Sequence, residues 1–249
     1  ICEPELPPGR DFDFINSEVI KNDLSVKNGI LTLRNSVNYR VLVLPKSTTM
    51  RPELLRKIRS LVKAGATVVG TPPSASPSLE NFPKCDDEVR KLAREVWSDT
   101  SATAPGEHAF GKGRVVWGMD LNEILLGLGS KRDFESSTPL RFKHRRDGDP
   151  DIYFVANPKT EAVVTTAAFR AGGRVPELWW PNSGRIERPA VYEEATGLVR
   201  LPLTLGPQGS VFVVFRKKAL AKTPQLVSVT RDGKEILGTK AVPQTVSMA

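Results

Sequence analysis

Residues 41–70 read VLVLPKSTTMRPELLRKIRSLVKAGATVVG, and this stretch decides the first half of the fold. Val41-Leu42-Val43-Leu44 is a continuous apolar run stopped by Pro45, the pattern of a strand covered on both faces. Thr48 to Pro52 then opens a helix, with Pro52 in the first turn, where a missing N–H costs little. Leu54, Leu55, Ile58, Leu61 and Val62 recur on one helical face, and Gly65 supplies a left-handed C-terminal cap. Ala66-Thr67-Val68-Val69-Gly70 is a second buried strand. Strand, helix and strand within about 30 residues make a βαβ unit.

The same alternation continues outward. A proline- and serine-rich loop spans Thr71 to Pro83, and Asp86 is placed to cap a helix whose apolar face is Val89, Leu92, Ala93, Val96 and Trp97. Ser98 to Gly113 reads as a polar loop before a third strand, Arg114 to Gly118. Asp120 and Glu123 form a capping pattern ahead of Ile124, Leu125 and Leu128. Residues 1–130 are therefore expected to form an open α/β sheet.

Beyond residue 130 the period changes from 3.6 to 2. Ile152, Phe154 and Ala156 alternate, as do Val163, Thr165, Ala167 and Phe169. Val199, Leu201, Leu203 and Leu205 do the same, and Gly209 to Phe215 closes the set. Asp147-Gly148, Gly172-Gly173, Pro181-Asn182-Ser183-Gly184 and Thr196-Gly197 mark the turns between strands. Short strands at this spacing predict an antiparallel β-sandwich over residues 131–218. Residues 219–249 are a polar C-terminal extension with one hairpin signal at Asp232-Gly233.

Composition removes several function classes. The 249 residues carry a net charge of +8, and residues 131–249 hold 19 Lys/Arg against 12 Asp/Glu. A basic half attracts polyanions, so a polyanion-binding module is one reading. There is no arginine-rich run and no recognisable nucleic-acid module, so nucleic acid is not the expected partner. No stretch approaches the roughly 18 unbroken apolar residues of a membrane helix, so no membrane partner is expected. Two cysteines and two histidines do not build a disulfide scaffold or a zinc site, and no metal or cofactor is expected. Ile1-Cys2-Glu3-Pro4 lacks a leader pattern. The chain reads as processed or excised, and its location is not legible from these residues.

The motif search yields few catalytic candidates. The turn after Leu44 lacks the glycines that let a backbone approach a pyrophosphate. Gly111-Lys112-Gly113 precedes a strand and reads as a plain turn. No Gly-x-Ser-x-Gly or Gly-x-Cys-x-Gly elbow occurs. Cys85 sits at a helix start, but Asp86, Asp87 and Glu88 oppose a thiolate there, so a buried thiol is expected. Asp147, Asp149 and Asp151 have an oxygen-ligand spacing without a completing Glu, and a solvated turn paired with Arg145 and Arg146 is expected. Glu177 and Glu187 flank a hairpin and are the candidate acid/base carboxylates, a role that needs them about 5 to 9.5 Å apart. Trp179 and Trp180 must point to opposite faces of a strand, and the outward indole, assigned to Trp180 with Trp179 as the alternative, can stack on a sugar ring.

Taken in order, several segments resemble the region behind the catalytic barrel of glycoside hydrolase family 106, the α-L-rhamnosidases. They are Asp11 to Asn16, Tyr39 to Pro45, Met50 to Glu53, Ala64 to Gly70, Gly113 to Gly118, His144 to Arg146, Ile152 to Asn157, Pro176 to Trp179 and Gly209 to Phe215. The resemblance implies a class I glutamine-amidotransferase-like, flavodoxin-like α/β domain followed by a β-sandwich. It also implies an accessory role beside a large (β/α)₈ barrel that holds the catalytic carboxylates, and an exported parent enzyme. The barrel is then the expected partner, with carbohydrate as a further one and self-association through uncovered apolar surface as a consequence. Trp180 stands where that family leads one to expect an acidic residue. A small stand-alone glycosidase or esterase with a site built from loops remains open beside the accessory reading.

Overall fold

The computed structural model describes residues 7–98, 104–146, 148–218 and 226–239. It divides into two compact units, Ile1–Pro7 with Phe12–Lys131, and Pro8–Asp11 with Arg132–Ala249.

The first unit begins with helix α1 (Ser17–Asp23) and a small antiparallel meander of β1 (Ser25–Lys27), β2 (Ile30–Thr32) and β3 (Asn38–Tyr39). The central sheet follows. Strand β4 (Val41–Val43) leads through α2 (Pro52–Ala64) to a parallel β5 (Thr67–Val69), and α3 (Lys84–Trp97) precedes the hairpin of β6 (Gly106–Phe110) and β7 (Gly113–Trp117). The sheet order is β4-β5-β7-β6, parallel except for β6 at the edge.

Every residue of β5 is buried because both faces are covered. Val68 joins Leu55, Ile58 and Val62 of α2 and Val89, Val96 and Trp97 of α3 on one side. Val69 packs with Val116 and with Leu121 and Ile124 of α4 (Leu121–Gly127) on the other. Each fully buried aliphatic side chain of this kind contributes about 1.5–3 kcal/mol. Gly65 closes α2 at φ 123°, a conformation that disfavours any side chain, while its N–H reaches the Leu61 and Val62 carbonyls. A Cβ at Gly113 would lie 2.3 Å from the Ala66 carbonyl oxygen, so only glycine lets β7 run this close to the α2–β5 turn.

Two local expectations fail here. Asp86 is not the cap of α3. It lies inside the first turn, and its Oδ1 accepts from the Ser76 N–H, tying the proline-rich loop to the helix. The segment expected as loop before residue 114 contains β6, whose partner strand supplies the backbone bonds that a polar sequence did not advertise. Asp120 does cap α4, accepting from the N–H groups of Asn122 and Glu123.

The second unit is two antiparallel sheets around one core. One has the order β13-β12-β16-β10-β9, built from β9 (Arg141–Arg146), β10 (Asp151–Ala156), β12 (Arg174–Trp179), β13 (Ile186–Glu187) and β16 (Ser210–Lys218). The other has the order β14-β15-β11-β8, built from β8 (Phe134–Ser136), β11 (Val163–Phe169), β14 (Glu193–Ala195) and β15 (Leu198–Leu205). This is a sandwich arrangement. Val199, Leu201, Leu203 and Leu205 are all buried, as their alternation requires. A hairpin of β17 (Ser228–Arg231) and β18 (Lys234–Gly238) turns at Asp232 and Gly233, both at positive φ, as its sequence predicts.

Strand β10 sits in the opposite phase from its most apolar reading. Asp151, Tyr153 and Val155 are buried, while Ile152, Phe154 and Ala156 take the outer face. Tyr153 joins Phe169 and Phe215 in the core, and its polar neighbours find partners at the core's edge.

Candidate functional site

The ionisable groups of the sandwich gather in two places. The first is on the inner side of β9 and β10. Register pairs His144 with Tyr153 and Arg146 with Asp151. The imidazole stacks on the Tyr153 ring with centroids 4.0 Å apart and planes within 4°. Its Nδ1 lies 2.7 Å from Asp133 Oδ2 and its Nε2 lies 3.0 Å from Asp151 Oδ1. Arg170 reaches Asp133 Oδ1 at 2.6 Å, and Tyr153 donates to the same oxygen at 3.3 Å. Arg174 approaches Asp151 at 3.7 Å, bonds Asp149 at 2.9 Å and donates to the Phe215 carbonyl.

A neutral imidazole has one N–H, so a carboxylate at each nitrogen demands the cation. Burial alone would pull the His144 pKa down. The hydrogen bonds and charges of Asp133 and Asp151 outweigh it and hold His144 above its ordinary value. Burial would likewise raise Asp133, but His144 and Arg170 bring it below the usual carboxylate range. Burial, followed by the Asp133 charge, pushes Tyr153 up, so its phenol keeps its proton.

The second cluster lies on the outer face of the five-stranded sheet. Glu177 is only 2% exposed although its neighbour Leu178 faces the core. Its Oε2 accepts from Arg216 Nε at 2.8 Å and from Trp179 Nε1 at 3.2 Å, and Arg188 Nε lies 3.6 Å from Oε1. Arg216 also sits over the Trp179 ring, 5.4 Å from a ring centroid. Burial would raise the Glu177 pKa, yet these donors carry it below the ordinary value.

Register separates the two candidate carboxylates. Leu178 lies opposite Glu187, so Glu187 shares the face of Leu178 and Glu177 points to the other. Glu187 accepts from the Trp180 indole N–H at 2.7 Å, and Trp180 packs against the sandwich core with Arg185 over its ring. The outward indole is Trp179. A pair on opposite faces cannot converge on one glycosidic bond.

The remaining candidates also have partners. Cys85 is buried, with its Sγ 3.6 Å from the Ser78 carbonyl, as a structural thiol would be. It borders a cleft of about 430 Å³ in the first unit, where Arg51, Arg56 and Lys84 face Glu53, Glu80 and Glu88 and the charges offset. Asp147 of the aspartate triple lies outside the described residues. Asp149 and Asp151 both face Arg174, and Asp151 also meets His144 and Arg146, so side-chain cations already partner the two carboxylates. Among the described residues no group of three potential ligands gathers around a metal position.

Asp133, Arg170 and Arg174 carry no signal in the sequence analysis, and His144 and Tyr153 enter it only as parts of motifs. The usable signal was Asp151-x-Tyr153-x-Val155, a phase combining a carboxylate, a phenol and an aliphatic, which needs a polar rim to be buried.

The directions above fix a pH dependence. The raised His144 contributes stability that is full below its unfolded pKa, about 6.5, and is lost as pH climbs through its higher folded value. Depressed Asp133 and Glu177 contribute above about pH 4 and lose it as pH falls through their folded values. Thermal melts of the sandwich are expected to peak between about pH 4.5 and 6.5 and decline on both sides. A melting temperature that rises from pH 6 to 9 contradicts this assignment.

Comparison with known proteins places the chain. It is 39% identical over 231 residues to a Formosa agariphila protein that carries a provisional beta-glucuronidase name, covering 90% of this chain and 18% of that protein. The solved rhamnosidase from Novosphingobium sp. PP1Y superposes with a TM-score of 0.78 at 32% identity, covering 93% of this chain and 22% of that one. The chain thus spans about a fifth of the length of these relatives. The glycosyl hydrolase family 106 profile, described as alpha-L-rhamnosidase, matches residues 1–194, and the chain belongs to that family.

Proposed function

We propose that this chain is a non-catalytic accessory region of a family 106 glycoside hydrolase. Its first unit is a glutamine-amidotransferase-like domain reduced to a structural role, and its sandwich supports the enzyme and holds carbohydrate. A catalytic barrel elsewhere in the parent protein is its partner, and a deoxyhexoside or a uronide is the substrate class suggested by the relatives' names. The parallel β4-β5-β7 sheet is compatible with the amidotransferase-like assignment, although no nucleophile elbow accompanies it. Export of the parent enzyme belongs to the same proposal.

One observation carries this reading. Glu177 and Glu187, the candidate carboxylates, face opposite sides of their sheet, and each is held by an indole N–H, with arginines beside both. A general acid or base must reach its substrate's proton within hydrogen-bond distance.

The test is hydrolysis of aryl α-L-rhamnosides, aryl β-D-glucuronides and short-chain esters by the purified 249-residue chain. The expected result is no turnover above the buffer rate. Turnover that disappears in Glu177→Gln or Glu187→Gln overturns the proposal in favour of a stand-alone hydrolase.

A further inference from the structure

The outer face of the five-stranded sheet carries an arrangement that the accessory role leaves unused. Residues opposite one another in an antiparallel ladder share a face. Phe154 lies opposite Phe212, and Phe212 lies opposite Trp179, which lies opposite Ile186. The result is an apolar row crossing four neighbouring strands. Phe154 and Phe212 have ring centroids 5.0 Å apart, and both they and Trp179 are only half-buried, while Ile186 is 55% exposed.

The charges around the row are almost all of one sign. Arg145 lies opposite Ile152 and Arg141 opposite Ala156 on the same face, and both are exposed. Arg188 stands beside Ile186 at the other end, and Arg216 on β16 lies over the Trp179 ring and leaves that ring's opposite face to a ligand, their side chains being 60% and 48% exposed. Glu177 beneath them is buried and contacted through their Nε atoms, and a guanidinium has further N–H donors on its Nη nitrogens. Lys143 on this face is engaged by Asp11.

We infer that this face binds an acidic polysaccharide, with pyranose rings laid along the Phe154–Phe212–Trp179 row and their carboxylates or sulfates met by the flanking arginines. The inference rests on the carbohydrate-holding part of the accessory reading and adds the surface and the ligand class. Aromatic faces offer apolar surface to sugar C–H groups, and arginine forks match planar anions. A neutral glycan would leave the arginines unused. A nucleic acid would call on the charge without requiring the aromatic row.

Affinity electrophoresis of the full chain through gels containing polygalacturonate tests this. Retardation is expected with polygalacturonate and not with neutral hydroxyethylcellulose, and it should weaken as salt rises. Trp179→Ala should weaken it at least tenfold, and so should Arg145→Glu, an exposed change that leaves the Glu177 cluster intact. Circular dichroism confirms that each variant is folded. Three outcomes overturn the inference. One is no retardation, another is equal retardation by the neutral polymer, and the third is binding that survives Trp179→Ala or Arg145→Glu in folded protein, including equal binding of duplex DNA by such a variant. Any of these leaves the non-catalytic assignment standing, whereas glycoside turnover overturns that assignment without touching this one.

Discussion

Replacing Phe169 with alanine is expected to lower the melting temperature of the sandwich by about 15 °C, corresponding to about 4 kcal/mol for a unit of this size. Phe169 is fully buried at the centre of an aromatic cluster, with ring centroids 5.2 Å from Phe134, 5.1 Å from Tyr153 and 5.5 Å from Phe215. Truncation removes the transfer free energy of a benzyl group. It also leaves a cavity between two sheets that are held apart by their other side chains. Phe169→Leu should recover more than half of the loss. Differential scanning calorimetry and near-ultraviolet circular dichroism read the effect. A shift below about 5 °C would show that the two sheets do not pack as described.

The second large effect belongs to His144. His144→Ala is expected to cost about 3 kcal/mol at pH 6, because Asp133 and Asp151 stay buried while the cation between them is gone. Arg170 and Arg174 remain and keep the loss from growing further. The pH dependence distinguishes charge from packing. As pH climbs past the folded pKa of His144, the wild-type chain gives up its imidazolium and the gap to the variant should narrow. A gap that is constant from pH 5 to 9 would mean that only the stacking of His144 on Tyr153 had been removed. Urea denaturation at each pH supplies the comparison.

These two sites differ in how far they could be read from the chain. The core position of Phe169 rests on the aromatic itself, which breaks the tie between two otherwise equal phases, Val163-Thr165-Ala167-Phe169 and Val164-Thr166-Ala168. The helix from Pro52 to Gly65 is legible because start, stripe and stop signals agree. Strand β10 has two phases of comparable bulk, and the choice between them depends on partners far away. Asp133 precedes β8, His144 is on β9, Arg170 follows β11 and Arg174 opens β12. No local window contains that network. Strands β1, β2 and β3 have two or three residues each, too few for a period to show. Strand β9, Arg-Phe-Lys-His-Arg-Arg, reads as surface because only its Phe142 and His144 turn inward.

The candidate site followed the same division. Alternation required the two indoles of Trp179 and Trp180 to part company, and they do. Which of them faces out depends on the register of β12 with β16, where a bulge at Pro176 shifts the pairing between Val175 and Glu177. The outward residue is Trp179. It belongs to the row that the basic face frames, and the relation between those residues appears only across strands.

We propose that the ionisable groups gathered around His144 and Glu177 hold the sandwich together rather than act on a substrate. Titration of His144 by nuclear magnetic resonance, following its ring nitrogens in labelled full-length chain, tests this most directly. An imidazolium protonated on both nitrogens is expected to persist above the ordinary value of 6.5, with loss of sandwich signals when it finally deprotonates. A neutral ring at pH 6, holding one proton and changing state without any effect on the fold, would contradict it.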